Sequence, residues 1–275
     1  MEKIKLVSSD VDRTLLESSQ KMSQYTKYVI EQLQDNGILF GLASGRPIYQ
    51  LKRTIKLWNL KYYPDFIIGM NGSELYDNQD KTITNYSLLS ADDLKNIIDY
   101  MFPFMKRTNI YMYYHNEMIY AKYDAIYLDS KRKYENIEKV NLVSLEQFYS
   151  EPNAKILFRL YDEKDMPILE EYIKNNPRKY FAAYKTQPNL MEFTHPNTNK
   201  GAALKEYAKK YAISRDEIAA FGDTSNDNSM LKQADMSVCM ENGSDDTKRV
   251  AKYITESNVD EDGWAKFVSK YILRP

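Results

Sequence analysis

The chain has 275 residues, with 38 Lys plus Arg against 39 Asp plus Glu and a formal net charge of −1, so it has neither the basic field of a nucleic-acid-binding protein nor an acidic tail. Hydrophobic residues make up 43%, enough for a sizeable core, and the single cysteine, Cys239, excludes an internal disulfide and fits a reducing compartment. No apolar run approaches the roughly 20 residues of a membrane helix, and none long enough for a signal peptide precedes Asp10, which predicts a cytoplasmic protein with no membrane partner.

Strand and helix signals alternate in the first third of the chain. A β-rich run covers 4–9, a helical spacing of apolar residues covers 23–35, and an apolar strand follows at 38–42. Pro47 suits the first turn of a second helix, and another short strand covers 66–69. This order predicts a parallel sheet covered by helices.

The middle of the chain has a different pattern, in which strands come as hairpins with helices to one side. Aromatic strands at 109–114 and 117–123 flank His115 and Asn116, which predicts a hairpin. The other predicted elements here are helices at 90–105 and 163–174 and strands at 154–160 and 179–186. This is an α+β pattern.

The last third returns to alternation. The predicted elements are strands at 190–193, 217–221 and 236–240 and helices at 200–211, 226–233 and 245–251. The predicted fold class is therefore α/β, with a Rossmann-like parallel sheet core formed by residues 1–83 and 188–275. An α+β domain, residues 84–187, is inserted between the two core segments.

Two carboxylates follow the first strand. Asp10 and Asp12 are two residues apart on extended chain, so their side chains point to the same side, beyond the strand end where open α/β sheets bind ligands. Adjacent carboxylates stay ionised most easily when a cation joins them. The pair suits a Mg²⁺-assisted site with one carboxylate as nucleophile and the other as proton donor. A capping cluster at a helix start is the alternative.

Other polar groups follow core strands or begin a core helix. Ser44 offers a hydroxyl and backbone N–H groups at a helix N-terminus, which suits an anion, although an ordinary N-cap looks the same. Lys200 begins a helix, where a nearby anion such as phosphate would offset the unfavourable macrodipole; a solvated lysine is the alternative. Asp223 and Asp227 supply hard oxygen ligands that suit Mg²⁺, or else belong to a polar turn. Together, the order of these groups favours one joint site.

Four segments carry these residues: DVDRTLL from Asp10, SGRP from Ser44, NKG from Asn199 and GDTSNDNSML from Gly222. In this order they resemble the four motifs of the haloacid dehalogenase superfamily of phosphatases. Three further segments, Asn71-Gly72, 239–243 and 255–263, make the chain similar to the Cof-like branch. The resemblance spans both core segments and implies that 84–187 is a large α+β cap, of type IIB (C2), inserted between the second and third motifs.

The resemblance implies a role for each matching residue. Asp10 would attack the phosphate and form an aspartyl-phosphate, and Asp12 would protonate the leaving oxygen and then activate water. Ser44 and Lys200 would bind the transferring phosphoryl group and neutralise its charge. Mg²⁺, the implied cofactor, would be held by Asp10, Asp223 and the backbone carbonyl of Asp12.

Four residues have supporting roles in the same resemblance. Asp227 would orient Lys200 or a metal-bound water, and Asn226 is a candidate contact for the phosphoryl group or a metal-bound water. Gly45 would bind substrate through its backbone beside Ser44, and the side chain of Arg46 would reach the rim of the substrate phosphate.

Arg13 is the departure from the family pattern, which usually has glycine after the second aspartate. Strand alternation predicts that the Arg13 side chain points opposite to Asp12, away from the phosphate. A contact with the inserted domain is the alternative. We expect activity to be retained.

The predicted function is Mg²⁺-dependent hydrolysis of a small phosphorylated metabolite, either a sugar phosphate or a phosphorylated cofactor, with no nucleic acid and no obligate protein partner. A phosphosugar mutase of the same cap class, which returns the phosphoryl group to its substrate, is one alternative. A non-catalytic protein that binds phosphorylated metabolites is the other. Release of inorganic phosphate without an isomerised product distinguishes the hydrolase from both.

Overall fold

The computed structural model describes residues 4–16, 21–115, 117–120 and 140–273, so the end of the strand predicted at 117–123 lies outside the described residues. The chain divides into two compact units. The core unit comprises Met1–Tyr86 and Asn199–Pro275, and the inserted unit comprises Ser87–Thr198. Within the described ranges, every helix is too short or too polar to cross a lipid bilayer.

The strands and helices of the described residues are numbered in chain order. The strands are β1 (Leu6–Asp10), β2 (Leu39–Ala43), β3 (Phe66–Gly69), β4 (Glu74–Asp77), β5 (Thr82–Asn85), β6 (Thr108–Tyr114), β7 (Glu117–Tyr120), β8 (Val140–Leu142), β9 (Lys155–Leu160), β10 (Ala182–Gln187), β11 (Leu190–Thr194), β12 (Ile218–Gly222), β13 (Met236–Cys239) and β14 (Tyr253–Ile254). The helices are α1 (Gln24–Asp35), α2 (Ile48–Trp58), α3 (Ala91–Tyr100), α4 (Met166–Asn175), α5 (Lys200–Lys210), α6 (Asn228–Leu231), α7 (Asp245–Val250) and α8 (Gly263–Tyr271).

The core unit is built on one eight-stranded sheet, in the order β14-β13-β12-β1-β2-β3-β4-β5. The strands from β14 to β3 run parallel, and β4 and β5 complete the edge as an antiparallel pair. Apolar side chains alternate between the two faces of β1. Val7 packs with residues of α1, α2 and α8, whereas Leu6 packs with residues of α5 and α6. The predicted α/β class with a parallel sheet core is confirmed.

The inserted unit contains a six-stranded sheet in the order β10-β11-β9-β6-β7-β8. All its neighbouring strands are antiparallel except β7 and β8. Buried residues of α3 and α4 pack with one face of the sheet, including Ile156 and Phe158 of β9. The helix α3 begins with a capping box, in which Ser90 and Asp93 satisfy each other's backbone N–H groups.

The boundaries of the two units differ from the predicted 84–187. Residues 188–198 were predicted to lie in the core, but β11 pairs with β10 and β9 in the sheet of the inserted unit, which extends this unit to Thr198. The reason is that β11 forms an antiparallel hairpin with β10, starting at the pair Gln187 and Leu190. At the other boundary, β5 pairs with β4, so the core unit extends to Tyr86.

Candidate active site

The parallel sheet brings the ends of three strands to one edge. In the register of the sheet, Asp10, the last residue of β1, pairs with Ala43 of β2, and Ser9 pairs with Phe221 of β12. Ser44 and Asp223 each follow the last residue of their strand. Residues that are far apart in the sequence therefore meet at the carboxyl edge, where open α/β sheets bind their ligands.

A buried lysine links two of the predicted carboxylates. Lys200 is the first residue of α5, its side chain is 0% exposed, and its Nζ lies 2.6 Å from Oδ1 of Asp10 and 2.6 Å from Oδ1 of Asp227. A fully buried ammonium needs such partners because it has lost its hydration. The arrangement fixes one oxygen of Asp10 and places a positive charge beside its carboxylate.

Asp227 is held in place by the turn after β12. Its Oδ2 accepts hydrogen bonds from the backbone N–H groups of Asp223, at 3.0 Å, and Thr224, at 3.2 Å. Gly222 makes this possible, because a Cβ at that position would lie 2.4 Å from the Cβ of Asp227. Asp227 thus joins the β12 turn to Lys200, as a residue that orients the lysine.

Burial and like charges perturb the titration of this cluster. Burial raises the pKa of Asp10 well above its ordinary value, and the neighbouring Asp227 and Asp223 add to the effect while Lys200 opposes it. Burial, followed by the charge of Asp227, raises the pKa of Asp223 to about 7. Burial alone would lower the pKa of Lys200, but the charges of Asp10 and Asp227 outweigh it and raise that pKa. The lysine is therefore cationic at neutral pH.

The carboxylates form a group that fits a divalent cation. One oxygen each from Asp10, Asp223 and Asp227 lies within 4.8 Å of the others. The Oδ2 atom of Asp223 is buried and accepts no hydrogen bond from the described residues. Carboxylate oxygens are the hard ligands that Mg²⁺ prefers. The donor set therefore fits Mg²⁺.

The guanidinium of Arg46 forms a bidentate ion pair with the carboxylate of Asp12. The Nε of Arg46 donates to Oδ2 of Asp12 at 3.1 Å, and its Nη2 donates to Oδ1 of the same carboxylate. Arg46 was expected at the rim of the substrate phosphate. In this structure its guanidinium is instead hydrogen-bonded to Asp12, the predicted acid–base residue. Both side chains are about one-third exposed, so the pair lies at the open side of the site.

Asn71, which was not among the predicted site residues, connects Ser44 to Asn226. The buried Ser44 hydroxyl accepts the backbone N–H of Arg46 at 3.2 Å, and the backbone N–H of Asn71 donates to the Ser44 carbonyl at 3.0 Å. Asn226 donates from Nδ2 to Oδ1 of Asn71 at 3.3 Å. The side chain of Asn71 also faces Gly45, where an added Cβ would lie 3.3 Å away. The signal for Asn71 was a polar residue two positions after the end of a third core strand.

Arg13 does not point away from the site as strand alternation predicted. Its φ angle is +63°, so the chain has left the extended conformation and alternation no longer applies. Its Nε lies 3.7 Å from Oδ2 of Asp223, and its terminal nitrogen donates to the carbonyl of Asn242 at 3.2 Å. A cationic side chain therefore lies next to a predicted metal ligand.

Comparisons with known proteins show the family of the chain. A family model of haloacid dehalogenase-like hydrolases matches residues 7–268. The 5-amino-6-(5-phospho-D-ribitylamino)uracil phosphatase YitU of Bacillus subtilis is 26% identical over 97% of this chain and 97% of its own length. Among solved structures, a haloacid dehalogenase-like hydrolase from Bacteroides thetaiotaomicron has a TM-score of 0.82 at 24% identity and covers 98% of this chain and 99% of that one.

A second solved structure, the HAD subclass IIB sugar phosphatase BT4131, has a TM-score of 0.79 at 21% identity and covers 97% of this chain and 98% of that one. These two structures share the fold. The family match and the curated relatives show that the chain belongs to the haloacid dehalogenase-like hydrolases, in their Cof-like branch, and that it is a phosphatase.

Proposed function

We propose that this phosphatase is Mg²⁺-dependent and hydrolyses a small phosphorylated metabolite through an aspartyl-phosphate on Asp10. The observation that carries the proposal is the buried pairing of Asp10 with Lys200 and Asp227, beside an Asp223 oxygen that accepts no hydrogen bond from the described residues. Burying this much charge is costly unless the cluster binds charged ligands, and a phosphoryl group with a divalent cation supplies them.

In the first step, Asp10 is the nucleophile. Lys200 contacts Oδ1 of Asp10, and the other carboxylate oxygen forms the new bond to phosphorus while the bond from phosphorus to the leaving oxygen breaks. Asp12, two residues further along the chain, gives its proton to the leaving oxygen. The charge of Lys200 offsets the negative charge on the phosphoryl oxygens, and the Ser44 hydroxyl donates a hydrogen bond to them.

In the second step, water replaces the leaving group. Asp12, now a carboxylate, takes a proton from the water as its oxygen attacks phosphorus, and the bond between phosphorus and Asp10 breaks. Inorganic phosphate is released, Asp10 returns as a carboxylate and Asp12 is again protonated. In this second step Arg46 orients the carboxylate form of Asp12, because its guanidinium donates to both carboxylate oxygens.

Mg²⁺ would be held by Asp10, Asp223 and the backbone carbonyl of Asp12, and when bound it would supply positive charge that lets the nucleophile and the phosphate approach each other. Asp227 remains with Lys200, which already occupies its Oδ1 atom.

The names of two similar proteins support a proposal for the substrate class. YitU is named for a substrate with a phosphate on a ribityl chain, and BT4131 is named as a sugar phosphatase. Both names describe a phosphate monoester on a small polyhydroxylated carbon chain. We therefore propose sugar phosphates and phosphorylated cofactors or their precursors as substrates.

The test is phosphate release from a panel of sugar and polyol phosphates with MgCl₂, with a phosphopeptide as a macromolecular comparison. We expect Mg²⁺-dependent release from some of the small esters, loss of release with EDTA, and loss in Asp10→Asn. An isomerised substrate without released phosphate would favour the mutase. Binding of these esters without any turnover would favour the non-catalytic alternative.

A further inference from the structure

Arg13 occupies a backbone position that disfavours its side chain. Its φ of +63° lies in the left-handed region, where residues with a Cβ are strained and glycine is not. A long cationic side chain is thus placed directly after Asp12, in the loop that follows the proposed nucleophile Asp10. Any role it has must come from its guanidinium, because its backbone conformation is better served by glycine.

The Arg13 side chain is held in position although it is 57% exposed. Its terminal nitrogen donates to the carbonyl of Asn242 at 3.2 Å, and Nδ2 of Asn242 donates back to the carbonyl of Arg13 at 2.9 Å. Oδ1 of Asn242 in turn accepts the backbone N–H of Val259 at 3.0 Å. These bonds connect the loop after β1 to the loop after β13 and keep the guanidinium near the cluster.

The guanidinium faces the atom that the proposed metal needs. Its Nε lies 3.7 Å from Oδ2 of Asp223, too far for a hydrogen bond but close enough for a charge interaction. That same oxygen is buried and accepts no hydrogen bond within the described ranges. Arg13 and a cation bound to Asp223 would therefore compete for one carboxylate oxygen and repel each other.

We infer that Arg13 sets the Mg²⁺ affinity of this site by opposing the cation at Asp223. The inference rests on the proposed function, because it takes Asp223 as a metal ligand. Removing the positive charge should tighten Mg²⁺ binding about three- to tenfold, the size expected for one partly screened charge interaction near the surface. The site of the natural protein would thus fill only at higher free Mg²⁺ than the same ligands would require without Arg13.

The variants separate charge from backbone strain. Arg13→Gln removes the charge and keeps a polar side chain at the same φ, Arg13→Gly removes both the charge and the strain, and Arg13→Lys keeps the charge. Lys81→Gly is the matched control, because Lys81 is a cation at φ +58° in the β4–β5 turn, at the other edge of the sheet, and bonds to Asn78. Asp223→Asn removes the proposed ligand itself.

The experiment is isothermal titration of each full-length protein with MgCl₂ at about pH 8 and low ionic strength, without substrate. We expect Arg13→Gln and Arg13→Gly to bind about three- to tenfold tighter than the natural protein, Arg13→Lys and Lys81→Gly to match it, and the gain to shrink in high salt. Equal or weaker binding by both neutral variants, beside clear binding by the natural protein, overturns the inference alone. No binding by the natural protein overturns the proposed metal site and the inference with it.

Discussion

Arg46 binds Asp12 in a bidentate arrangement, in which its Nε and Nη2 atoms donate to the two carboxylate oxygens of Asp12. A planar guanidinium in this geometry fixes the direction of the carboxylate. Asp12 and Arg46 are 34 positions apart, and they meet because β1 and β2 are neighbours in the sheet. The proposed acid–base residue is thus oriented by the loop that also supplies Ser44.

Replacing Arg46 should lower kcat rather than raise KM. We expect Arg46→Met to lose about tenfold or more in kcat, because a freely rotating Asp12 is less often in position for proton transfer. Arg46→Lys keeps the charge but not the bidentate arrangement, so it should recover only part of the loss. Steady-state kinetics with p-nitrophenyl phosphate measure this. A large rise in KM with unchanged kcat would instead place Arg46 on the substrate phosphate.

Mg²⁺ should stabilise the protein more at alkaline than at acidic pH. The pKa of Asp223 is raised to about 7, mainly by burial, so its contribution to stability in the metal-free protein is present at low pH and is lost as the pH rises through 7. Mg²⁺ needs the carboxylate form. Mg²⁺ at ~100 times its dissociation constant adds about 2.7 kcal/mol, which corresponds to several degrees in Tm.

Thermal denaturation with and without MgCl₂ at about pH 5.5 and pH 8 checks this prediction. The Mg²⁺-induced rise in Tm should be larger at pH 8, and Asp223→Asn should abolish it at both values. A rise in Tm that is the same at both pH values, or larger at pH 5.5, would show that Asp223 is not the group that binds the ion.

Gly222→Ala should disrupt the site through Asp227. The added Cβ would lie 2.4 Å from the Cβ of Asp227, so the turn must shift and Asp227 must leave Lys200. We expect about 1–3 kcal/mol of destabilisation in urea and a fall of about 100-fold in kcat. If the effect acts through Asp227, the double variant with Asp227→Asn will lose less activity than the two single losses combined. Additive losses would disprove that coupling.

Relief of the backbone strain at residue 13 should raise the free energy of unfolding. Arg13→Gly removes a left-handed residue with a Cβ, whereas Arg13→Ala keeps it, so the glycine variant should be more stable than the alanine variant by about 1 kcal/mol. Urea denaturation of the two variants at equal Mg²⁺ measures the difference. An alanine variant as stable as the glycine variant would mean that the loop relaxes out of the left-handed region.

Much of the core unit could be predicted because its signals are local. The strand at 66–69 was predicted with the bounds that β3 has, and its four residues are all buried. The β4–β5 hairpin was missed because every residue of β5 is exposed, so no apolar alternation marks it. The prediction that β11 belongs to the core unit was wrong for another reason. The sequence of an apolar strand does not indicate which strands it pairs with. β11 belongs to the sheet of the inserted unit because it pairs with β9 and β10.

In the candidate site, too, some features could be predicted from local sequence signals and others could not. Asp10 and Asp223 were identified because polar residues after buried strands meet at one sheet edge, and the structure brings them together with Lys200 and Asp227. The orientation of Arg13 was not predictable from alternation, because it depends on one positive φ angle.

The most direct test of the proposed mechanism is the covalent state of Asp10 during turnover. The protein is mixed with p-nitrophenyl phosphate and MgCl₂, quenched in acid within the first turnovers, digested and analysed by mass spectrometry, with Asp10→Asn treated in parallel. The proposal predicts a phosphoryl group on the peptide that contains Asp10 in the natural protein, and neither label nor phosphate release in the variant. Phosphate release by Asp10→Asn at the natural rate, with no labelled peptide in either protein, would contradict it.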